Sequence, residues 1–190
     1  MTDLVENGTT LCILNNVYDL GEIEKTFEWK KSFKPSMKLV FEIQDASKPW
    51  KDGGESPVYT KLTTTKYSSE KSTAFKVAKA LGFSIDWVPI DKVVWMFIEH
   101  IGSHCLIEVE NAEYNGTSYV RTLNTFSKPV KWMELKEPRG QSSYFDFTSS
   151  TWQEDLAALP TWIQDDIKKG RTYQNLINEW FDNTKEDSYF

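Results

Sequence analysis

Lys25, Lys30, Lys31 and Lys34 fall within ten residues and are interleaved with Phe27, Trp29 and Phe33. Cations meet phosphates and flat rings stack on bases, so this mixture is the chemistry of single-strand binding, where a stacked ring contributes roughly 1–3 kcal/mol per base. The other reading is a solvated hairpin whose rings cover the protein's own core, because alternate rings are also how a strand buries one face. Trp50 and Lys51 sit in a Gly-rich, Lys-flanked loop where a core role is harder to find for the indole. By strand alternation Lys38, Tyr59, Lys61, Tyr119 and Arg121 fall on the face that would meet the same ligand.

Other chemistries find less support. His100 and His104 are four apart with Cys105 adjacent, which makes three metal ligands with no fourth at useful spacing. A packing or polar role is favoured, and neither a metal nor another cofactor is expected. Asp19, Asp45, Asp91 and Asp146 are scattered carboxylates without a paired acid–base arrangement. With no Ser-His-Asp order, phosphate loop or dinucleotide fingerprint either, the chain reads as a non-enzyme.

Charge placement agrees with a polyanion ligand for the centre of the chain. Net charge is −6, yet residues 27–131 carry fifteen basic and twelve acidic side chains, while 132–190 carry eleven acidic and six basic. A mildly cationic centre with anionic ends suits a domain that touches a polyanion and carries acidic arms for something else. Aromatic residues make up 14% of the chain, more rings than a core of this size must bury, so some belong on the surface. No apolar run suits a spanning helix and the N-terminus lacks a secretory profile, so a cytoplasmic protein without membrane contact is expected. Cys12 and Cys105 read as buried free thiols.

These side chains need elements to position them. Thr10–Tyr18 reads as a strand closed by Asp19-Leu20-Gly21 as a turn, followed by the charged ribbon. Met37–Gln44 alternates, with Met37, Leu39, Phe41 and Ile43 on one face, and Val58–Thr65 is a further strand. Ser68 or Ser69 caps a helix through Leu81 that Gly82 stops, and Val93–Ile101 is a second short helical or irregular stretch. Cys105–Glu110 and Ser118–Phe126 form a hairpin across Asn115-Gly116. Beyond Pro129, Trp152, Leu156, Leu159, Ile163 and Ile167 repeat every three or four residues, which predicts two short helices broken near Pro160, with another over Tyr173–Phe181.

Three strands, a helix and two strands is the element order of an OB-fold barrel; SH3-like and other small barrels also give five strands, but the long helical insertion before the last hairpin favours the OB-fold. The expected architecture is an all-β core with appended helices: a five-stranded OB-fold barrel, a helix between strands three and four, and a C-terminal helical, acidic extension. The expected domains are 9–131, binding nucleic acid, and 132–190, the extension and tail.

Several segments in that order resemble the single-stranded DNA-binding proteins encoded beside replication genes in tailed bacteriophages. They are Asp19-Leu20-Gly21 before the ribbon, Met37-Lys38-Leu39-Val40-Phe41-Glu42-Ile43, and Cys105-Leu106-Ile107-Glu108-Val109 with Asn115-Gly116 and Tyr119. Tyr144-Phe145-Asp146-Phe147 and Leu159–Ile167 complete the set, so the likeness covers most of residues 9–170. Residues 82–104 are richer in Trp and Val than the family, and nothing is carried across them. The resemblance implies an OB-fold that protects or organises single-stranded DNA in phage DNA replication or recombination, without sequence preference, in the host cytoplasm. The acidic end, with Asp187, Tyr189 and Phe190, resembles tails by which such proteins recruit replication or recombination partners. The rival reading is a protein-interaction module, an OB-fold adaptor or inhibitor of a host or phage replication, repair or defence protein. DNA versus RNA is left open, as is self-association as a homo-oligomer.

Overall fold

Met37, Leu39, Phe41 and Ile43 occupy every second position of one strand and are each at most 1% exposed, so that face lies against the core. The computed structural model describes residues 4–49 and 54–186, less the side chains of Phe27 and residues 181–186. The strands are β1 (Gly8–Phe27), β2 (Lys30–Pro49), β3 (Glu55–Thr65), β4 (His104–Tyr114), β5 (Thr117–Ser127) and β6 (Ser143–Phe145). Helices α1 (Thr73–Leu81) and α2 (Val93–Ile98) separate β3 from β4, and α3 (Trp152–Ala157), α4 (Thr161–Lys168) and α5 (Arg171–Glu186) follow β6.

The expected five-stranded OB-fold barrel is corrected by the strand pairing. The strands form one mixed, irregular six-stranded sheet in the order β2-β3-β5-β4-β1-β6, with a further pairing of β2 with β1. β6 runs parallel to β1, an addition no sequence signal announced. β3 meets β5 in parallel through two residue pairs, Thr60 with Val120 and Lys61 with Arg121. A regular barrel needs continuous, consistently staggered ladders around its wall, and this seam does not provide one. The resemblance to the phage family implied an OB-fold, so the identification with that family is withdrawn with it.

Two local expectations also shift. Asp19-Leu20-Gly21 does not end the first strand; it is an irregularity within β1, where the register with β2 slips between Asp19 and Gly21. The helix starts at Ser72, whose Oγ accepts the Phe75 N–H at 3.1 Å, instead of at Ser68 or Ser69. Gly82 closes it at φ 101°, the left-handed conformation that glycine adopts without strain.

Two cores result. The larger one joins the inward side chains of β1 to β5, including Cys12, Cys105 and Phe41, to those of α1 and α2, including Phe97. The smaller lies on the opposite face of β1 and β2, where Tyr18, Leu20 and Val40 meet Phe145, Leu156, Leu159, Ile163 and Ile167. Leu14 and Val17 both face the larger core because the β1 register slips between Leu14 and Asn16. Without that slip, strict alternation would send one of them to the other face. No helix is long and apolar enough to cross a membrane among the described residues.

Cys12 and Cys105 are opposite one another on β1 and β4, free and fully buried. Burial pushes the Cys105 thiol up to about 12. Burial, and then the neighbouring Cys105, hold Cys12 well above its usual value. The unfolded chain ionises thiols from roughly pH 8.5, so the stability they contribute is whole below that pH and is lost as pH rises toward the folded values. The urea midpoint should fall between roughly pH 8.5 and 11, and Cys12→Ala should flatten that fall. An unchanged slope in the variant would remove the thiols as its cause.

Candidate nucleic-acid interface

The predicted site residues separate into a projecting arm, a covered sheet face, the β4–β5 hairpin, and positions outside the described residues. Trp50, Lys51, Asp187, Tyr189 and Phe190 belong to the last group.

The arm is the distal half of the β1–β2 pair. Register places Ile23 opposite Lys34, Lys25 opposite Ser32 and Phe27 opposite Lys30, with Glu22, Glu24 and Thr26 opposite Pro35, Phe33 and Lys31. Directly opposed residues share a face and neighbours along a strand alternate, so the ribbon has two chemically different sides. One carries Lys25, Lys30 and Lys34 with no carboxylate, and these lysines form no ion pair among the described residues. The other carries Glu22 and Glu24. There Lys31 Nζ lies 3.0 Å from Glu24, and Arg171 Nε lies 2.8 Å from Glu22 with its guanidinium 4.4 Å from the Phe33 ring centroid. Lys31 and Phe33 are therefore already engaged, and among the described residues the unpaired cations of the arm are the other three.

Glu28 and Trp29 form the two-residue turn with φ 46° and 66°, a left-handed pair that normally takes Asn and Gly. Trp29 is 97% exposed, so its indole crowns the arm in solvent. A large non-glycine side chain in that conformation costs about 1 kcal/mol or more.

The face of β2 and β3 expected to meet nucleic acid is covered by the protein's own C-terminal part. Glu42 of β2 is 1% exposed and accepts the backbone N–H groups of Arg139 and Gly140 at 3.0 and 2.8 Å, besides Arg139 Nε at 3.1 Å. Residues 134–143 cross the sheet as a strap held by that carboxylate, with Gln44 Nε2 donating to the Glu134 carbonyl. The strap passes so close to Tyr59 that a Cβ on Gly140 would lie 1.7 Å from its hydroxyl.

α4 then lays Trp162 beside the two lysines of this face. Lys61 Nζ lies 3.6 Å from the ring centroid and Lys38 Nζ 5.6 Å from it, while Lys38 is also paired with Asp166. Partial desolvation and then the neighbouring Lys38 lower the pKa of Lys61. Between strap, α4 and sheet remains a cleft of about 460 Å³, with Asn15, Tyr18, Tyr59, Lys61, Ser143 and Trp162 among its lining.

Tyr119, on β5, is 42% exposed, and Arg121 is neutralised by Glu110. His100 Nδ1 lies 2.7 Å from the Met96 carbonyl with its ring stacked on Phe83, and His104 Nε2 lies 2.8 Å from the Lys136 carbonyl. No group of side chains able to hold a metal ion occurs among the described residues. Sequence reasoning missed Arg171, Trp162 and the Asn15-Asn16 pair, since a register slip and a long-range stack leave no local pattern. No protein-family model matches the sequence and no curated protein matches it.

Replacing Glu28 and Trp29 by Asn and Gly should relieve the turn and raise amide-exchange protection along the arm by about 1 kcal/mol. Hydrogen exchange followed residue by residue checks this, and unchanged or lower protection would show that the turn is not strained.

Proposed function

We propose that the protein binds single-stranded nucleic acid through the β1–β2 arm, by lysine–phosphate contacts and stacking, without sequence preference and without a catalytic step. The observation that carries this reading is the sorting of charge on the ribbon: Lys25, Lys30 and Lys34 share a carboxylate-free side next to an indole that is 97% exposed. Phosphates require cations that are not already paired, and an unstacked base offers a ring the face that a duplex hides. Lys31, held by Glu24, and Arg121, held by Glu110, contribute less. Net charge of −6 is compatible because the contact is local and the like charge of the remainder limits non-specific adhesion.

A second reading, a protein-binding module, draws on Trp87 and Trp132, rings that are 90% and 82% exposed outside the arm. Stoichiometric capture of a protein partner by a chain with no affinity for oligonucleotides would favour it.

Intrinsic tryptophan fluorescence titrated with oligothymidine and with duplex tests the first reading. Quenching by the single strand, with affinity falling steeply as salt rises, is expected; no binding, or equal affinity for duplex, would overturn it. Replacing Lys30 by Met should reduce the slope of log K against log salt by about 0.7, the single-strand increment per phosphate contact, whereas Lys31→Met should change it less.

A further inference from the structure

We infer that the cleft between the C-terminal strap, α4 and the outer face of β1 to β3 is a binding site for one nucleotide, taking its phosphate at Lys61 and its base between Tyr59 and Trp162. The choice of ligand rests on the nucleic-acid reading above; the site itself is separate from the arm.

Size and charge select the ligand first. The cleft measures about 460 Å³, within the range of roughly 300–1,000 Å³ occupied by small-molecule sites. Lys61 is its sole charged lining residue among the described residues, in a chain with six more acidic than basic side chains. Its ammonium has no carboxylate within ion-pair distance among the described residues; Asp166, the nearest candidate, is taken up by Lys38 and lies 3.6 Å from Lys169. What Lys61 has is the face of Trp162. A cation on a ring gains far less than one on a phosphate oxygen, so an entering phosphate draws Lys61 off the indole and leaves that ring face for a base.

The rest of the lining matches a nucleobase. Tyr59 comes from the sheet and Trp162 from α4, so two rings reach the cleft from different elements. The floor is polar and fixed: Tyr18 Oη and Asn16 Nδ2 each lie 2.7 Å from Ser143 Oγ, and Asn15 Nδ2 donates to Asn16 Oδ1 at 3.0 Å. The register slip on β1 brings these consecutive asparagines to the same cleft. At the rim, the Gln141 side-chain amide makes no hydrogen bond among the described residues and can address a base edge with both a donor and an acceptor. Cation, rings and amide supply the three recognitions a nucleotide needs.

The same chemistry could come from a free nucleotide or from one residue of a strand, and the test separates them. The full chain, labelled with ¹⁵N, is titrated with thymidine 5′-monophosphate, thymidine, inorganic phosphate and oligothymidine, reading the Trp162 indole and the Asn15, Asn16 and Gln141 amide resonances. Saturable shifts of this set with the monophosphate identify a free-nucleotide site; shifts with the oligonucleotide alone identify a strand residue, and either result supports the inference. Lys61→Met should weaken the monophosphate by about tenfold while leaving thymidine within about twofold. Equal shifts from inorganic phosphate and from the monophosphate would reduce the site to an anion site and overturn the inference. So would an oligonucleotide that shifts arm resonances while the cleft stays silent for every probe, a result that leaves the arm reading intact. Cleft shifts with the monophosphate in a chain that binds no oligonucleotide would instead remove the arm reading and keep the cleft.

Discussion

The structure turns on Asp19. Its buried carboxylate receives Lys66 Nζ at 2.9 and 3.0 Å and the Gly21 N–H at 2.7 Å, at the point where β1 slips register against β2. Burial raises its pKa while Lys66 and the Gly21 amide work against that rise. Removing one partner of such a pair costs about 3–5 kcal/mol, because the other is left charged and buried. The pair ties the segment after β3 to the middle of β1, and the slip it accompanies sets where the core-facing half ends and the arm begins. Immediately beyond it, Gly21 at φ +61° passes so near α5 that a Cβ would lie 2.4 Å from Thr172, and Thr172 Oγ1 accepts the Glu22 N–H at 2.9 Å. The arm is thus aimed from its base by contacts on two sides.

The C-terminal part is built into the sheet by the same logic of satisfying buried polar groups. Glu42 sits in the middle of β2 on the face opposite Phe41 and Ile43, where an unpartnered carboxylate would be costly to bury. The strap supplies it with two backbone N–H groups and a guanidinium, and Ile163 and Ile167, both fully buried, fasten α4 beyond. A chain held in this way does not lift easily, so the outer face of β2 and β3 is a walled cleft and not an open platform. Lys38 shows the consequence: read from alternation it faces a ligand, but its partners are Asp166 and Trp162.

Much of this was legible where the information is local. Alternation placed Met37, Leu39, Phe41 and Ile43 in the core, Asn115-Gly116 marked a turn whose φ values are 48° and 75°, and Pro160 separated α3 from α4. What failed was non-local or depended on one residue more or less. The Asp19-Leu20-Gly21 turn signal became an irregularity because β2 continues the pairing on its far side. β6 is three residues long and exists only because β1 has a free edge beside it. The element order of the expected barrel said nothing about how β3 and β5 would meet, and that contact decided the architecture. For the site, reading the arm as one mixed ribbon missed that residues of odd number change sides across a two-residue turn: Lys25 and Lys31 lie on opposite faces, and their ion pairing differs accordingly.

That change of sides also answers how an acidic chain can present a cationic surface. Over the arm the excess of lysine over glutamate is small, and were the charges mixed across both faces each lysine would have a carboxylate within reach. A two-residue turn fixes the pairing so that Glu22 and Glu24 fall together, opposite Phe33 and Pro35, where Arg171 and Lys31 neutralise them. A turn that also took in Lys30 would shift the register of β2 by one residue and bring Lys34 opposite Glu24. The left-handed conformation at Glu28 and Trp29 is therefore the geometric condition for the charge separation, and its strain is offset by the register it enforces along the whole ribbon. The exposed indole of Trp29 belongs to that turn and not to either paired strand, so the ring and the unpaired lysines are held in place by the same two residues.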